Sequence, residues 1–250
     1  MTDGTPFKDH FSTQAADYER HRPGYPPELF AYLASIAPAR GRALDVATGN
    51  GQAAIGLAGY FETVRATEPS GRLIARARAH PRVSYEQGSA EHIASPDRHF
   101  DLLSAAQAAH WFDLPRFYSE ARRVLRPGGV IALWTYEMFT ADPVVDAIVR
   151  DFYRNVVGPY WPRERRYVEE RYASLPFPFE EISTPPFALH ADWSHGDALG
   201  YLRSWSAVQR YITLRARDPL EMVAGPLASA WGEARRRLVW PVHLRVGRAG

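Results

Sequence analysis

Cysteine is absent from the 250-residue chain. That excludes disulfides, thiolate zinc sites, C-x-x-C redox pairs and thiol nucleophiles. Lysine is almost absent too: Lys8 is the only one, so arginine carries nearly all the positive charge. No stretch approaches the roughly 20 apolar residues of a membrane-spanning helix. The segment from Met1 to Asp9 lacks the basic-then-apolar pattern of a secretory signal. Neither sign of charge dominates, with 30 basic residues against 28 acidic ones, and the balance is the same on both sides of Thr135. A basic platform for nucleic acid is therefore not expected, and neither is a membrane partner. The expectation is a cytoplasmic protein acting on a small molecule. The sequence sets no oligomeric state.

What is present is alternation. Ala43–Val46, Thr63–Thr67, Val83–Glu86, Phe100–Ala105 and Val130–Trp134 are short apolar runs that read as buried strands. Between them, helices are expected over Gln52–Phe61, from a Ser70 cap to about His80, and over Leu114–Leu125. Strand and helix at this spacing predict an α/β fold with a mostly parallel sheet covered on both faces. The later part is less regular. Pro143–Val157, Arg163–Ser174, Asp197–Arg210 and Pro219–Leu238 read as helices. Phe179–Trp193 reads as extended, with Pro185-Pro186 confining it to an edge or bulge, and Trp240–Val246 as a closing strand.

Open parallel sheets bind ligands at the carboxyl ends of their strands. The first such turn is Asp45-Val46-Ala47-Thr48-Gly49-Asn50-Gly51, in which Gly49 and Gly51 allow close backbone approach. The helix from Gln52 points its positive end at the same place. Glu68 ends the second strand, where a carboxylate can accept both hydroxyls of a ribose. Gly49 to Ala54 also fits the G-x-G-x-x-A turn of nicotinamide enzymes, with Glu68 as the acidic partner. Asp45 argues against that reading, because a carboxylate beside the turn repels a pyrophosphate but suits a cationic amine. The glycines also read simply as turn formers.

These residues resemble the class I S-adenosylmethionine-dependent methyltransferases, in particular the type-11 group that includes ubiquinone-biosynthesis and trans-aconitate methyltransferases. The D/E-x-G-x-G-x-G turn of that family corresponds to Asp45 to Gly51, with Ala47 in place of its first glycine. Glu68-Pro69-Ser70 falls where the family binds ribose and flanks adenine. Gly88-Ser89-Ala90-Glu91 falls on the loop at the adenine edge, with Ser89 where aspartate is usual. Leu125 to Gly129 matches its turn into the fifth strand.

The resemblance implies a Rossmann-like, seven-stranded sheet in which 1–40 forms an arm over the cofactor, 41–137 the S-adenosylmethionine-binding core, and 138–250 helical substrate-covering insertions with closing strands. In the arm, Phe11, Tyr18, Arg22 and Tyr25 match the family's aromatic and arginine positions. Tyr18 is the candidate for stacking on the sulfonium and Arg22 for pairing with the methionine carboxylate. The remaining cofactor candidates are Thr48 and Ala105.

Beyond the fourth strand, Ala105 to Phe112 resembles the A-x-x-x-H-W-F segment of the trans-aconitate-like subgroup. His110 reads as a base or substrate contact, or as a histidine that fixes its loop. Trp111 reads as a pocket wall. Tyr201 to Tyr211 resembles a helix covering the acceptor site, where Arg203 and Arg210, seven apart, share a face beside Trp205. These residues suggest an acidic acceptor. His190 to His195 has no metal-ligand spacing and reads as a surface turn, so no metal is expected. The reading is a methyltransferase acting on a small molecule. The alternatives are a nicotinamide-dependent oxidoreductase and a non-catalytic nucleotide-binding protein.

Overall fold

The computed structural model describes residues 22–250, so Phe11 and Tyr18 lie outside the described residues. The alternation holds through the first half. In order come α1 (Pro27–Ile36), β1 (Arg42–Val46), α2 (Gln52–Ala58), β2 (Thr63–Glu68), α3 (Gly71–Ile74), β3 (Val83–Gln87), β4 (Phe100–Ala106), α4 (Leu114–Val124) and β5 (Leu125–Tyr136). Helix α3 is much shorter than expected, and Ser70 makes no side-chain cap. None of its residues is buried. With no apolar face to dock, so short a segment has nothing to offset the cost of helix nucleation.

With β6 (Glu180–Ile182), β7 (Phe187–Trp193) and β8 (Arg236–Arg248), the sheet order is β3-β2-β1-β4-β5-β8-β6, and β7 also pairs with β8. Strands β1 to β5 are parallel, and β8 (Arg236–Arg248) runs antiparallel to β5. The count is eight among the described residues, where seven were expected. The extra strand arises because the extended segment near 179–193 divides into β6 (Glu180–Ile182) and β7 (Phe187–Trp193), both pairing with β8. Pro185 and Pro186 stand in the gap, where they have no N–H for a ladder. His190 to His195 thus belongs to β7 and a helix start, not to a surface turn.

The later helices also depart from the expected spans. Asp197–Arg210 is interrupted, giving α7 (His195–Arg203) and α8 (Ser206–Arg215). At the break the Ser204 hydroxyl donates to the Tyr201 carbonyl at 2.6 Å, and Trp205 is extended. Arg203 and Arg210 therefore sit on different helices and share no helical face. Helix α9 (Glu221–Trp231) stops at Gly232, whose φ of 70° turns the chain toward β8. Helix α5 (Pro143–Asp151) widens into a π turn over Phe152–Val156, and α6 (Arg165–Glu169) is a single short piece.

Alternate residues of β5 feed two cores, as the strand pleat requires. Val130, Ala132, Trp134 and Tyr136 join one core with α1, α2 and the later helices, while Ile131 and Leu133 join the other with α4. The first core runs from Leu29 to Val246, so the late helices and the strand–helix core bury one continuous apolar interior.

Near the amino ends of β1 and β4, the fully buried Asp101 accepts the Gly41 and Arg42 N–H groups at 3.0 and 2.8 Å and lies 2.7 Å from an Arg126 nitrogen. Asp101→Ala strands two donors and a partly covered guanidinium. It is expected to lower unfolding free energy by about 2–4 kcal/mol, measured by urea denaturation.

Candidate active site

The site is built at the carboxyl ends of β1, β2, β4 and β5, on the crevice where strand order reverses between β1 and β4. After β1 the chain needs three left-handed residues in five: Ala47, Gly49 and Gly51 have φ of 52°, 60° and 84°. Glycine takes this conformation freely, whereas alanine at position 47 pays roughly 1 kcal/mol or more. Space distinguishes the two glycines. A Cβ on Gly51 would strike the Tyr85 hydroxyl at 2.1 Å, whereas a Cβ on Gly49 would meet no atom of the described residues within 4 Å. The turn therefore packs tightly at Gly51 and opens in front of Gly49.

Glu68, only 4 % exposed, bridges two loops: one oxygen accepts the Gly49 N–H at 3.0 Å, the other the Ser70 N–H at 3.0 Å. Pro69 and Ser70 follow directly, and Gly88 N–H donates to the Glu68 carbonyl at 3.2 Å, bringing the loop after β3 alongside. On that loop Ser89 is half-buried and Ala90 buried, and Glu91 accepts the Asp113 N–H at 3.1 Å. Ala105 is fully buried in the second core.

Asp45 is not oriented as expected. It has no exposed surface, and its oxygens accept the Thr48 and Ser104 hydroxyls at 2.6 Å each. Burial is the main cause that raises its pKa to about 6. Asp45 therefore holds the turn to β4 from beneath, and a direct contact with a ligand amine is not what its geometry provides.

From the arm, Gln52 Nε2 donates to the Pro23 carbonyl at 3.0 Å, tying the chain to the start of α2. Arg22 donates to the Tyr136 hydroxyl at 3.3 Å and lies over the Tyr201 ring at 5.0 Å. Tyr25 packs edge-on against Trp134, 5.5 Å between centroids. The described end of the arm thus crosses the carboxyl end of β5.

Past β4, Gln107 has a φ of 55°. Its N–H donates to the Trp134 carbonyl at 2.8 Å and its Nε2 to the Tyr136 carbonyl at 2.8 Å, and it accepts the Thr135 hydroxyl at 2.5 Å. His110 and Trp111 follow in a short 3-10 turn (Ala109–Trp111), with ring centroids 4.9 Å apart. The Nδ1 of His110 is 2.8 Å from the hydroxyl of fully buried Tyr172. Burial first, and Arg165 second, lower the His110 pKa to about 3, so the imidazole is neutral throughout the working pH range.

The expected substrate face is not assembled as read. Arg203 is 2.5 Å from the Asp218 carboxylate. Arg210 is exposed, and Trp205 is buried among Phe152, Tyr153, Trp161 and Tyr201. Arg165, Tyr153 and Trp161 instead line a cleft of about 590 Å³, and Arg165 is near enough to His110 for its charge to act on the imidazole. Gln107, Tyr172 and these three residues were not expected. Their partners lie far away in sequence, and only Gln107 stood inside a motif.

A strand–turn–helix crevice with an acidic residue closing the second strand defines a nucleoside-binding α/β protein. A family model described as a methyltransferase domain matches residues 44–133. A methyltransferase from Dictyostelium discoideum is 34 % identical over 91 % of this chain and 88 % of its own length. An uncharacterised methyltransferase of Mycobacterium tuberculosis is 37 % identical over 124 residues, about half of each protein. The solved structure of a type II methyltransferase from Anaeromyxobacter dehalogenans is 46 % identical, with a TM-score of 0.86 over 91 % of this chain and 98 % of that one. The chain belongs to this family of S-adenosylmethionine-dependent methyltransferases.

The buried Asp45 makes stability depend on pH. Its folded pKa of about 6 lies above the ordinary value of 3.8, so the fold favours the protonated form. The cofactor-free protein is therefore expected to lose roughly 3 kcal/mol of stability as pH rises from about 4 to about 6. Asp45→Asn should flatten that slope in denaturation curves taken across this range.

Proposed function

We propose that the protein transfers a methyl group to a small carboxylic acid seated beside His110, with S-adenosylmethionine held by the turn after β1 and by Glu68. The observation that carries the reading is the open space before Gly49, flanked by the Glu68 carboxylate. A cofactor that brings a ribose fits it, and the family supplies the choice of S-adenosylmethionine. The nicotinamide alternative draws no support from the comparisons.

When bound, S-adenosylmethionine supplies a methyl group already activated on a sulfonium. In this reading the Glu68 oxygens accept the ribose hydroxyls, while Pro69 and Ser70 with the Ser89 to Glu91 loop flank the adenine. Arg22 faces the methionine carboxylate. The chain's remaining task is to place the acceptor in line and keep water out. Gln107, locked by three hydrogen bonds, fixes the backbone of the acceptor loop, and the His110–Tyr172 bond sets the imidazole. An ionised carboxylate needs no base at pH 7, and a histidine whose pKa is about 3 acts as a neutral hydrogen-bonding group.

Glu68→Ala is expected to weaken S-adenosylhomocysteine binding about 10- to 150-fold by calorimetry. Unchanged affinity in a folded variant overturns the ribose assignment. His110 should be neutral at every pH above about 4, so the rate should show no inflection near pH 6.5. His110→Asn should retain measurable turnover. A loss of roughly 100-fold or more would mark it as a general base and point to a hydroxyl or amine acceptor.

A further inference from the structure

The cleft that opens beside Glu137 and the late helices is lined by four arginines, Arg154, Arg163, Arg165 and Arg166, of which Arg165 alone is not exposed. Arg165 is half-buried on its wall. Its Nε donates to the Tyr153 hydroxyl at 2.9 Å, and its guanidinium carbon lies 4.5 Å from the Trp161 ring centroid and 5.5 Å from that of Tyr153. One edge of the guanidinium is therefore committed, and its faces rest on aromatic rings. The two carboxylates lining the same cleft already have partners. Glu137 lies 2.8 Å from Arg171 and 3.1 Å from His243, and Glu169 accepts the Tyr153 hydroxyl at 2.6 Å. Arg165 takes part in none of the ion pairs among the described residues.

This arrangement leaves the terminal fork, Nη1 and Nη2, with the geometry that receives a carboxylate through two parallel hydrogen bonds. The aromatic packing fixes its orientation in advance, which reduces the entropy lost on binding. A carboxylate gripped this way is a poor nucleophile, because its in-plane lone pairs are engaged and its charge is neutralised. A group held by Arg165 is thus protected from methylation. The reacting atom has to lie elsewhere, nearer His110 and the cofactor turn.

We infer that Arg165 anchors a carboxylate of the acceptor that is distinct from the group being methylated. The acceptor then carries an ionised acid together with a separate nucleophilic atom, and Arg165 sets specificity for the acid. The inference rests on the acceptor cleft proposed above. It does not depend on whether the methylated atom is itself a carboxylate oxygen.

The test uses the full chain saturated with S-adenosylhomocysteine and titrated calorimetrically with small mono- and dicarboxylates, their matched primary amides, and inorganic phosphate. Wild type should bind at least one acid 10-fold or more tighter than its amide. Arg165→Met should weaken that acid about 10- to 100-fold and leave the amide unchanged, with Arg165→Lys in between. S-adenosylhomocysteine affinity should not move in either variant, so failure of the anchor is distinct from failure of cofactor binding.

For any acceptor that turns over, KM should rise 10- to 100-fold in Arg165→Met while kcat falls less than about threefold. Unchanged S-adenosylhomocysteine affinity in Arg165→Met also shows that the variant is folded. Four results would each overturn the inference: acids binding no tighter than amides, unchanged acid affinity in Arg165→Met, phosphate outcompeting every carboxylate, or a loss confined to kcat.

Discussion

A carboxylate with no exposed surface sits where the strand order of the sheet reverses. Asp45, at the carboxyl end of β1, accepts one hydroxyl from the turn that follows it and another from Ser104 on β4. Without these two bonds the crevice would have a buried, unpaired charge at its floor, at a cost of several kcal/mol. With them, the turn and the neighbouring strand are held at a fixed separation. The open space before Gly49 and the Glu68 bridge both follow from that separation. The same constraint explains why Asp45 does not reach outward: it has no exposed surface, and its two oxygens face the turn and β4.

The strand–turn–helix half was legible because its signals are local. Asp45 to Gly51 is continuous in sequence, and the Gly49 and Gly51 conformations are ones that only a few residue types adopt freely. Glu68 was findable by spacing, since it ends the next strand. The acceptor side was not legible to the same degree. Arg203 and Arg210 looked paired only on the assumption of an unbroken helix, and Ser204 and Trp205 break it. An arginine is a poor marker in a chain in which it supplies nearly all the positive charge. Whether a given arginine is neutralised, as Arg203 is by Asp218, depends on residues that only the fold brings near.

Aromatic residues behave similarly. Trp205 reads from sequence as a wall for a substrate, yet its indole is the centre of a cluster that holds the late helices together. The edge of that cluster toward the cleft is formed by Tyr153 and Trp161, and Tyr153 lies in the π turn at the end of α5. Inserting one residue into a helical turn re-aims the side chains that follow. Periodicity that assumes 3.6 residues per turn therefore misplaces Tyr153, and with it the arginine that packs on it.

Backbone strain marks the same region independently of any side-chain assignment. Six described residues other than glycine have positive φ, and four of them surround the site: Ala47, Gln107, Arg171 and Tyr172. Each costs of order 1–3 kcal/mol and persists only where its surroundings determine it. Those surroundings are visible: Gln107 is fixed by three hydrogen bonds, Arg171 by Glu137, and Tyr172 by its bond to His110 and its burial. A stability-driven fold would have glycine at such positions. Retaining side chains there at this cost is understandable if the side chains themselves are needed. Gln107 and Tyr172 qualify, since removing either would release the acceptor loop that carries His110 and Trp111. The turn after β1 relies mainly on glycine and backbone, and the loop after β4 on strained side chains.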